Sequence, residues 1–303
     1  MRWTVIGLGA VGGLYGSRLH MAGEQVQYLV RADAAHIRQH GLHVASPLGN
    51  FTDPNPRVAE DPSELEPCDA VLVALKTTAN PILDKLLPRL VAADGLVLML
   101  QNGLDVERDA ARSRPEARIL GGLCFVCSHK RGPGRIEHLD FGPVTLGAWQ
   151  ANEAAAGATD DCTRIAALLN SSSVVTTIAD DLVAARWGKL CWNIPYNGLS
   201  VLHQADTRAL MDTPAWRREV EQLMDEVSAA AAACGKPLPA GHRDKMLANT
   251  DRMVPYLPSM RLDHDAGRPL EVEAIYGRAV RAAEAKGVAV PLMRSVYERL
   301  AAL

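Results

Sequence analysis

The chain opens with the short apolar run Trp3-Thr4-Val5-Ile6, which passes directly into Gly7-Leu8-Gly9-Ala10-Val11-Gly12 and then into the amphipathic stretch Leu14 to Ala22. A strand that runs into G-x-G-x-x-G at the head of a helix is a dinucleotide-binding pattern in its working context. The first glycine permits a tight turn, the second lets the backbone approach a pyrophosphate, and the third lets the helix pack close to the strand. Phosphate oxygens then meet the positive helix N-terminus. Residues 7 to 12 are therefore candidate cofactor-binding residues.

Gln25 to Val30 reads as the second strand, and Arg31 follows it. A site for an unphosphorylated ribose usually places Asp or Glu there. A guanidinium suits a 2′-phosphate through paired charge-assisted hydrogen bonds, which points to NADP(H). The other reading makes Arg31 a solvated strand-end charge and Asp33 the ribose ligand.

Asp69 to Leu75 and Gly95 to Leu100 read as further apolar strands, with the helical stretch Pro81 to Val91 between them. Alternating strands and helices with continuous apolar runs imply a parallel sheet buried on both faces. Leu120 to Ser128, Arg135 to Leu139 and Val144 to Trp149 follow as strands, the first two joined by the turn Gly132-Pro133-Gly134, so the sheet is expected to end in an antiparallel section. Val174 to Ile178 is the last strand signal. From Asp180 the periodicity turns helical through 181–194, 214–234, 240–253 and 271–286, with Pro214 and Pro291 as starts and Gly235 and Gly287 as stops. The expected fold is α/β: an N-terminal Rossmann-type doubly wound sheet, residues 1–178, followed by a C-terminal all-α domain, residues 179–303. The 303-residue length suits two cores.

The formal net charge of −3 gives no electrostatic footprint for nucleic acid or an anionic membrane, and neither is an expected partner. No apolar run approaches the ~20 residues of a membrane span, and the apolar N-terminus lacks a signal peptide's layout, so a cytoplasmic location is expected. The six cysteines lie mostly among apolar residues, as expected of reduced core thiols. Cys124 and Cys127 have C-x-x-C spacing but fall in an expected strand, where residues three apart face opposite ways. The nine histidines form no H-x-x-x-H or H-x-H pair with nearby carboxylates, and no metal is expected.

Ligands in open α/β sheets lie across the carboxyl ends of the strands. Lys76 and Asn102 each follow such a strand and are candidates for the nicotinamide end of the cofactor, against a solvated loop lysine and a simple turn. In the helical half, Lys189, Asn193 and Asn197 recur every four residues among Trp187, Leu190, Cys191, Ile194 and Tyr196, so on a helix they share one face. A lysine and two asparagines are poor solvent-face residues, which favours a wet cleft. Pro195 is expected to kink or loosen this helix. Ser259 and Glu271 form a third group, with a first-turn helix charge as the alternative for Glu271.

Taken together, Gly7-Leu8-Gly9-Ala10-Val11-Gly12, Arg31, Lys76, Gln101-Asn102-Gly103, Lys189 with Asn193 and Asn197, Ser259-Met260 and Glu271 resemble the ketopantoate reductase family over essentially the whole chain. The resemblance implies NADPH-dependent reduction of a 2-keto acid, ketopantoate to pantoate in pantothenate biosynthesis. It makes Lys189 the general acid and Glu271 an aid at the reacting oxygen. Asn193, Asn197, Ser259 and Lys76 then hold substrate, and Lys76 and Asn102 also serve the cofactor. Two segments depart from the family pattern: Ile194-Pro195-Tyr196-Asn197-Gly198-Leu199-Ser200, and Pro258 before Ser259. Both belong to the substrate-binding part, so a reductase of another 2-keto acid is an alternative. A β-hydroxyacid-type dehydrogenase shares a lysine and an asparagine at this spacing, and an NADP(H) sensor without turnover is a third class. Helical second domains can pair through exposed apolar faces, so a homodimer is a further expectation.

Overall fold

Trp3, Thr4 and Val5 are fully buried because their strand, β1 (Arg2–Ile6), lies inside a parallel sheet covered on both faces. The computed structural model describes residues 1–303, which divide into two units. The first comprises Met1–Gln101 with Val106–Leu182, and the second Asn102–Asp105 with Val183–Leu303.

The first unit carries the strands β2 (Gln25–Leu29), β3 (Leu42–Ala45), β4 (Phe51–Asp53), β5 (Arg57–Ala59), β6 (Cys68–Val73), β7 (Val91–Met99), β8 (Arg118–Gly132), β9 (Arg135–Ala148) and β10 (Thr176–Ile178). Its helices are α1 (Ala10–Met21), α2 (Ala34–His40), α3 (Leu83–Leu90), α4 (Glu107–Ser113) and α5 (Asp160–Ser171). The sheet order is β4-β3-β9-β8-β7-β6-β1-β2-β5, with β10 beside β9. From β5 to β8 every pairing is parallel, and the order reverses on either side of β1. That reversal is the switch point at which a doubly wound sheet binds its ligand. The residues that leave β1, β2, β6 and β7 at their carboxyl ends are Gly7, Arg31, Lys76 and Gln101 with Asn102. The antiparallel section is the long β8–β9 hairpin, with Gly132 and Arg135 paired across its turn. The strands expected at 135–139 and 144–149 are one strand, because register shifts at Cys124/Val126 and Cys127/Ser128 absorb the irregularity without ending the pairing.

The second unit is helical: α6 (Leu182–Leu202), α7 (Thr207–Asp212), α8 (Pro214–Ala233), α9 (His242–Arg252), α10 (Ser259–Asp265), α11 (Arg278–Ala285) and α12 (Pro291–Ala301), with a π-helical turn over Glu273–Gly277. Trp187, Ile194, Met224, Tyr276 and Val296 belong to its core. Glu226 accepts hydrogen bonds from the backbone N–H groups of Leu292 (3.0 Å) and Met293 (2.7 Å), which satisfies the first turn of α12. No helix is long and apolar enough to cross a membrane.

One ion pair gives this unit a defined acid response. Arg217 grips Asp251 with two hydrogen bonds, of 2.8 and 3.0 Å, and these hold the Asp251 carboxyl below its ordinary range. A depressed folded-state pKa adds stability that is present above the unfolded value, roughly 3.9, and is lost as pH falls through the folded one. Arg217→Met should therefore lower the urea midpoint at neutral pH, and the gap to wild type should close on acidification below about pH 4. A gap that stays constant down to acid pH would refute the pair's role.

Candidate active site

Gly7 turns the chain at φ +95°, where a Cβ would stand 2.9 Å from Leu75 Cδ2. A Cβ on Gly12 would stand 2.0 Å from the Gly7 carbonyl oxygen, so α1 packs on β1 at a distance that only hydrogen permits. Gly9, the N-cap of α1, has nothing within 4 Å of its missing Cβ. Open space therefore lies over a helix N-terminus that has no side-chain cap and no acidic residue in its first turn. Such a cradle fits a pyrophosphate, which the backbone N–H groups and the dipole would hold. Leu8 is buried beneath it, while Ala10 and Val11 are partly exposed.

Charged residues gather at the carboxyl end of β2. Asp33 forms an ion pair with Lys130 at the outer part of β8, and Glu60 accepts from the Ala34 N–H at 3.2 Å, so both nearby carboxylates are engaged. Arg31 is exposed and forms no ion pair within the chain. Lys130 is a residue that sequence reasoning missed. It stands 97 positions from Asp33, and only the fold of the hairpin brings it there. Lys76 is exposed at the head of the 3₁₀ turn Thr77–Ile82.

In the second unit, α6 carries Lys189, Asn193 and Asn197 on one face over two turns. Lys189 is half-buried, whereas Asn193 and Asn197 are only 6% and 2% exposed. Nδ2 of Asn193 is buried with no hydrogen-bond partner, an arrangement that costs roughly 1–3 kcal/mol unless a ligand supplies an acceptor. Asn197 accepts from the Met260 N–H at 3.1 Å and so fixes the head of α10, where Ser259 sits. The predicted pair Asn197 and Ser259 is thus brought together. Burial pushes the Cys191 thiol up to about 11, so this neighbour on α6 stays protonated at neutral pH.

Pro195 does not end α6, which continues to Leu202. Its ring removes one backbone donor. A side chain from elsewhere also meets this helix: Tyr276 donates to the Ile194 carbonyl at 2.6 Å. Gly198 makes room for that ring, since a Cβ there would lie 2.5 Å from the Tyr276 hydroxyl. Glu271, 4% exposed, stands at the head of the helix that contains Tyr276, just before the π turn. Turns of this kind are frequent at functional sites. Asn102 belongs to the same unit: its neighbour Gly103, at φ +110°, packs on Ala274, and Leu104 donates to the Ala274 carbonyl at 2.9 Å.

A family model described as ketopantoate reductase PanE/ApbA matches residues 3–151, and its C-terminal counterpart matches residues 181–303. The chain belongs to the ketopantoate reductase family. It is 44% identical to a 2-dehydropantoate 2-reductase of Nostoc sp., over 99% of this chain and 94% of the relative. The crystal structure of 2-dehydropantoate 2-reductase from Geobacter metallireducens superposes with a TM-score of 0.93 at 37% identity, covering 100% of this chain and 99% of that one. A D-mandelate dehydrogenase solved with NADH and anilino(oxo)acetate shares the fold, with a TM-score of 0.86 at 23% identity and coverage of 100% and 98%. As a ketopantoate reductase family member, the protein is an oxidoreductase acting on a CH–OH group. A second residue that sequence reasoning missed in this family member is His242, which lies against Gly188, next to Lys189, with Nε2 at 3.0 Å from the Gly188 carbonyl. Its only sequence signal is its position one residue after Gly241, which adopts φ +73° and so starts α9.

Proposed function

We propose that this ketopantoate reductase family member reduces a 2-keto acid with NADPH, namely ketopantoate to pantoate, a reading supported by its likeness to proteins named 2-dehydropantoate 2-reductase. The observation that carries the reading is the unpartnered Asn193 amide beside Lys189 on α6, with Asn197 fixing the Ser259 segment. A bound nicotinamide supplies the hydride. The chain's own residues manage the charge that follows. The Lys189 ammonium stabilises the growing negative charge on the keto oxygen and delivers its Nζ proton there. Glu271 assists at that oxygen. Asn193 Nδ2 donates to an oxygen of the substrate, and Asn197, Ser259 and Lys76 complete its hold. The amide of Asn102 serves cofactor or substrate oxygens.

The cofactor half rests on the engaged Asp33 and the exposed Arg31. Arg31→Ala is expected to raise the Kd for NADPH about tenfold or more and to leave that for NADH within about twofold, as loss of a charge-assisted contact to phosphate requires. Asp33→Asn should change neither greatly. Equal loss for both cofactors in Arg31→Ala would overturn the NADPH assignment.

The experiment that tests the whole is NADPH oxidation with ketopantoate, in parallel with NADH. Turnover preferring NADPH supports the reading in full. If NADPH binds but ketopantoate is not reduced, the substrate assignment falls. The departures at Pro195, Gly198 and Pro258 then direct attention to other branched or bulky 2-keto acids. A homodimer and a cytoplasmic location belong to the same proposal; sedimentation would test the first.

A further inference from the structure

Behind the carboxyl edge of the sheet lies a chain of three buried polar side chains that packing alone does not require. Gln101, Asn80 and Asp109 are 3%, 4% and 7% exposed. The Gln101 amide nitrogen donates to the Leu75 carbonyl at 2.8 Å and to Asn80 Oδ1 at 2.7 Å. Asn80 Nδ2 in turn donates to Asp109 Oδ2 at 2.7 Å, in the first turn of α4. The orientation of both amides follows from their partners, since the Leu75 carbonyl and the Asp109 carboxylate can only accept.

This clamp joins the segments that leave β6 and β7. Leu75 precedes Lys76, and its side chain lies where a Cβ on Gly7 would meet it at 2.9 Å. One residue thus has its carbonyl held by Gln101 while its side chain backs the glycine turn. Buried amides left without partners cost about 1–3 kcal/mol each, so an apolar residue at 101 or 80 would be the simpler filling. A polar chain in that position makes sense if it fixes direction, because hydrogen bonds are directional where apolar contacts are not. We propose that Gln101 is a positioning residue that sets the Lys76 ammonium at the nicotinamide end of the cofactor, with Asn80 and Asp109 holding Gln101 in turn. The proposal rests on the reading of Lys76 as a cofactor-contacting residue.

The test is a double-mutant cycle on NADPH binding, with adenosine 2′,5′-bisphosphate as a probe of the adenosine half alone. Gln101→Met keeps the shape and removes both donors. It should raise the NADPH Kd about tenfold in the wild-type background. In the Lys76→Ala background it should change that Kd by less than about twofold, because the group being positioned is already gone. Binding of the bisphosphate should stay within about twofold throughout, which also reports that the first unit is folded. The same loss in both backgrounds, or a parallel loss for the bisphosphate, would reduce the clamp to a stability element and overturn the proposal. No loss in Gln101→Met, with a loss in Lys76→Ala, overturns the positioning role and spares the reading of Lys76. Lys76→Ala without effect removes that reading itself. Should Gln101→Met fail to fold, Asn80→Ala cuts the chain one link further back, and the same cycle with Lys76→Ala applies.

Discussion

Lys189→Ala should lower kcat by about 10²- to 10⁴-fold while leaving the NADPH Kd unchanged. The loss follows from the chemistry: without the ammonium, negative charge builds on the keto oxygen with neither a stabilising cation nor a proton at hand. The fold should tolerate the change. Lys189 is half-buried, its core-facing neighbours Trp187 and Leu190 are untouched, and alanine is the best helix former. Lys189→Arg sharpens the test. A guanidinium keeps the charge but does not give up its proton near neutral pH, so substrate binding should recover more than kcat. Steady-state kinetics with a separate binding titration decide the matter. A kcat within tenfold of wild type for Lys189→Ala would remove Lys189 as the proton donor.

A contrast between two glycines carries the second large effect. Gly9 has open space around its missing Cβ and sits at φ −88°, where any residue is unstrained. Gly9→Val should therefore still fold, with Tm lowered only by the poorer N-cap, yet fill the cradle and raise the NADPH Kd on the order of 100-fold, about 2.7 kcal/mol. Gly12→Ala should do the reverse first. With a Cβ 2.0 Å from the Gly7 oxygen, α1 must move off β1, and overpacking of this kind costs about 1–3 kcal/mol or more. Thermal melts beside cofactor titrations separate the two effects. If Gly9→Val binds NADPH normally, the space over α1 is not where the pyrophosphate lies.

Much of this was legible in the sequence because the signals are local. A strand, a glycine turn and a helix follow one another within residues 2–21, and Pro214 with Gly235 brackets α8. Less legible were β3, β4 and β5, which have only four, three and three residues and owe their strand state to neighbours on the sheet. The helix α5 is also less legible, although Thr159 caps it by accepting from the Cys162 N–H. Its apolar positions, Cys162, Ile165, Ala166 and Leu169, recur at helical spacing, but the segment is only 12 residues long and begins with two aspartates. The candidate site shows the same division. The spacing of Lys189, Asn193 and Asn197 announces one face, whereas the hydrogen bond that Tyr276 makes to Ile194, 82 residues away, has no local signal. The engagement of Asp33 by Lys130 is equally non-local, and nothing in the sequence around Arg31 announces it.

The meeting of Tyr276 with Gly198 makes these two positions an epistatic pair. A larger residue at 198 is admissible only after 276 has shrunk, and a smaller residue at 276 removes the Tyr276 hydrogen bond to the Ile194 carbonyl. Exchanges at these two positions therefore pass through coordinated double changes. A directed-evolution library that samples one position at a time would miss them.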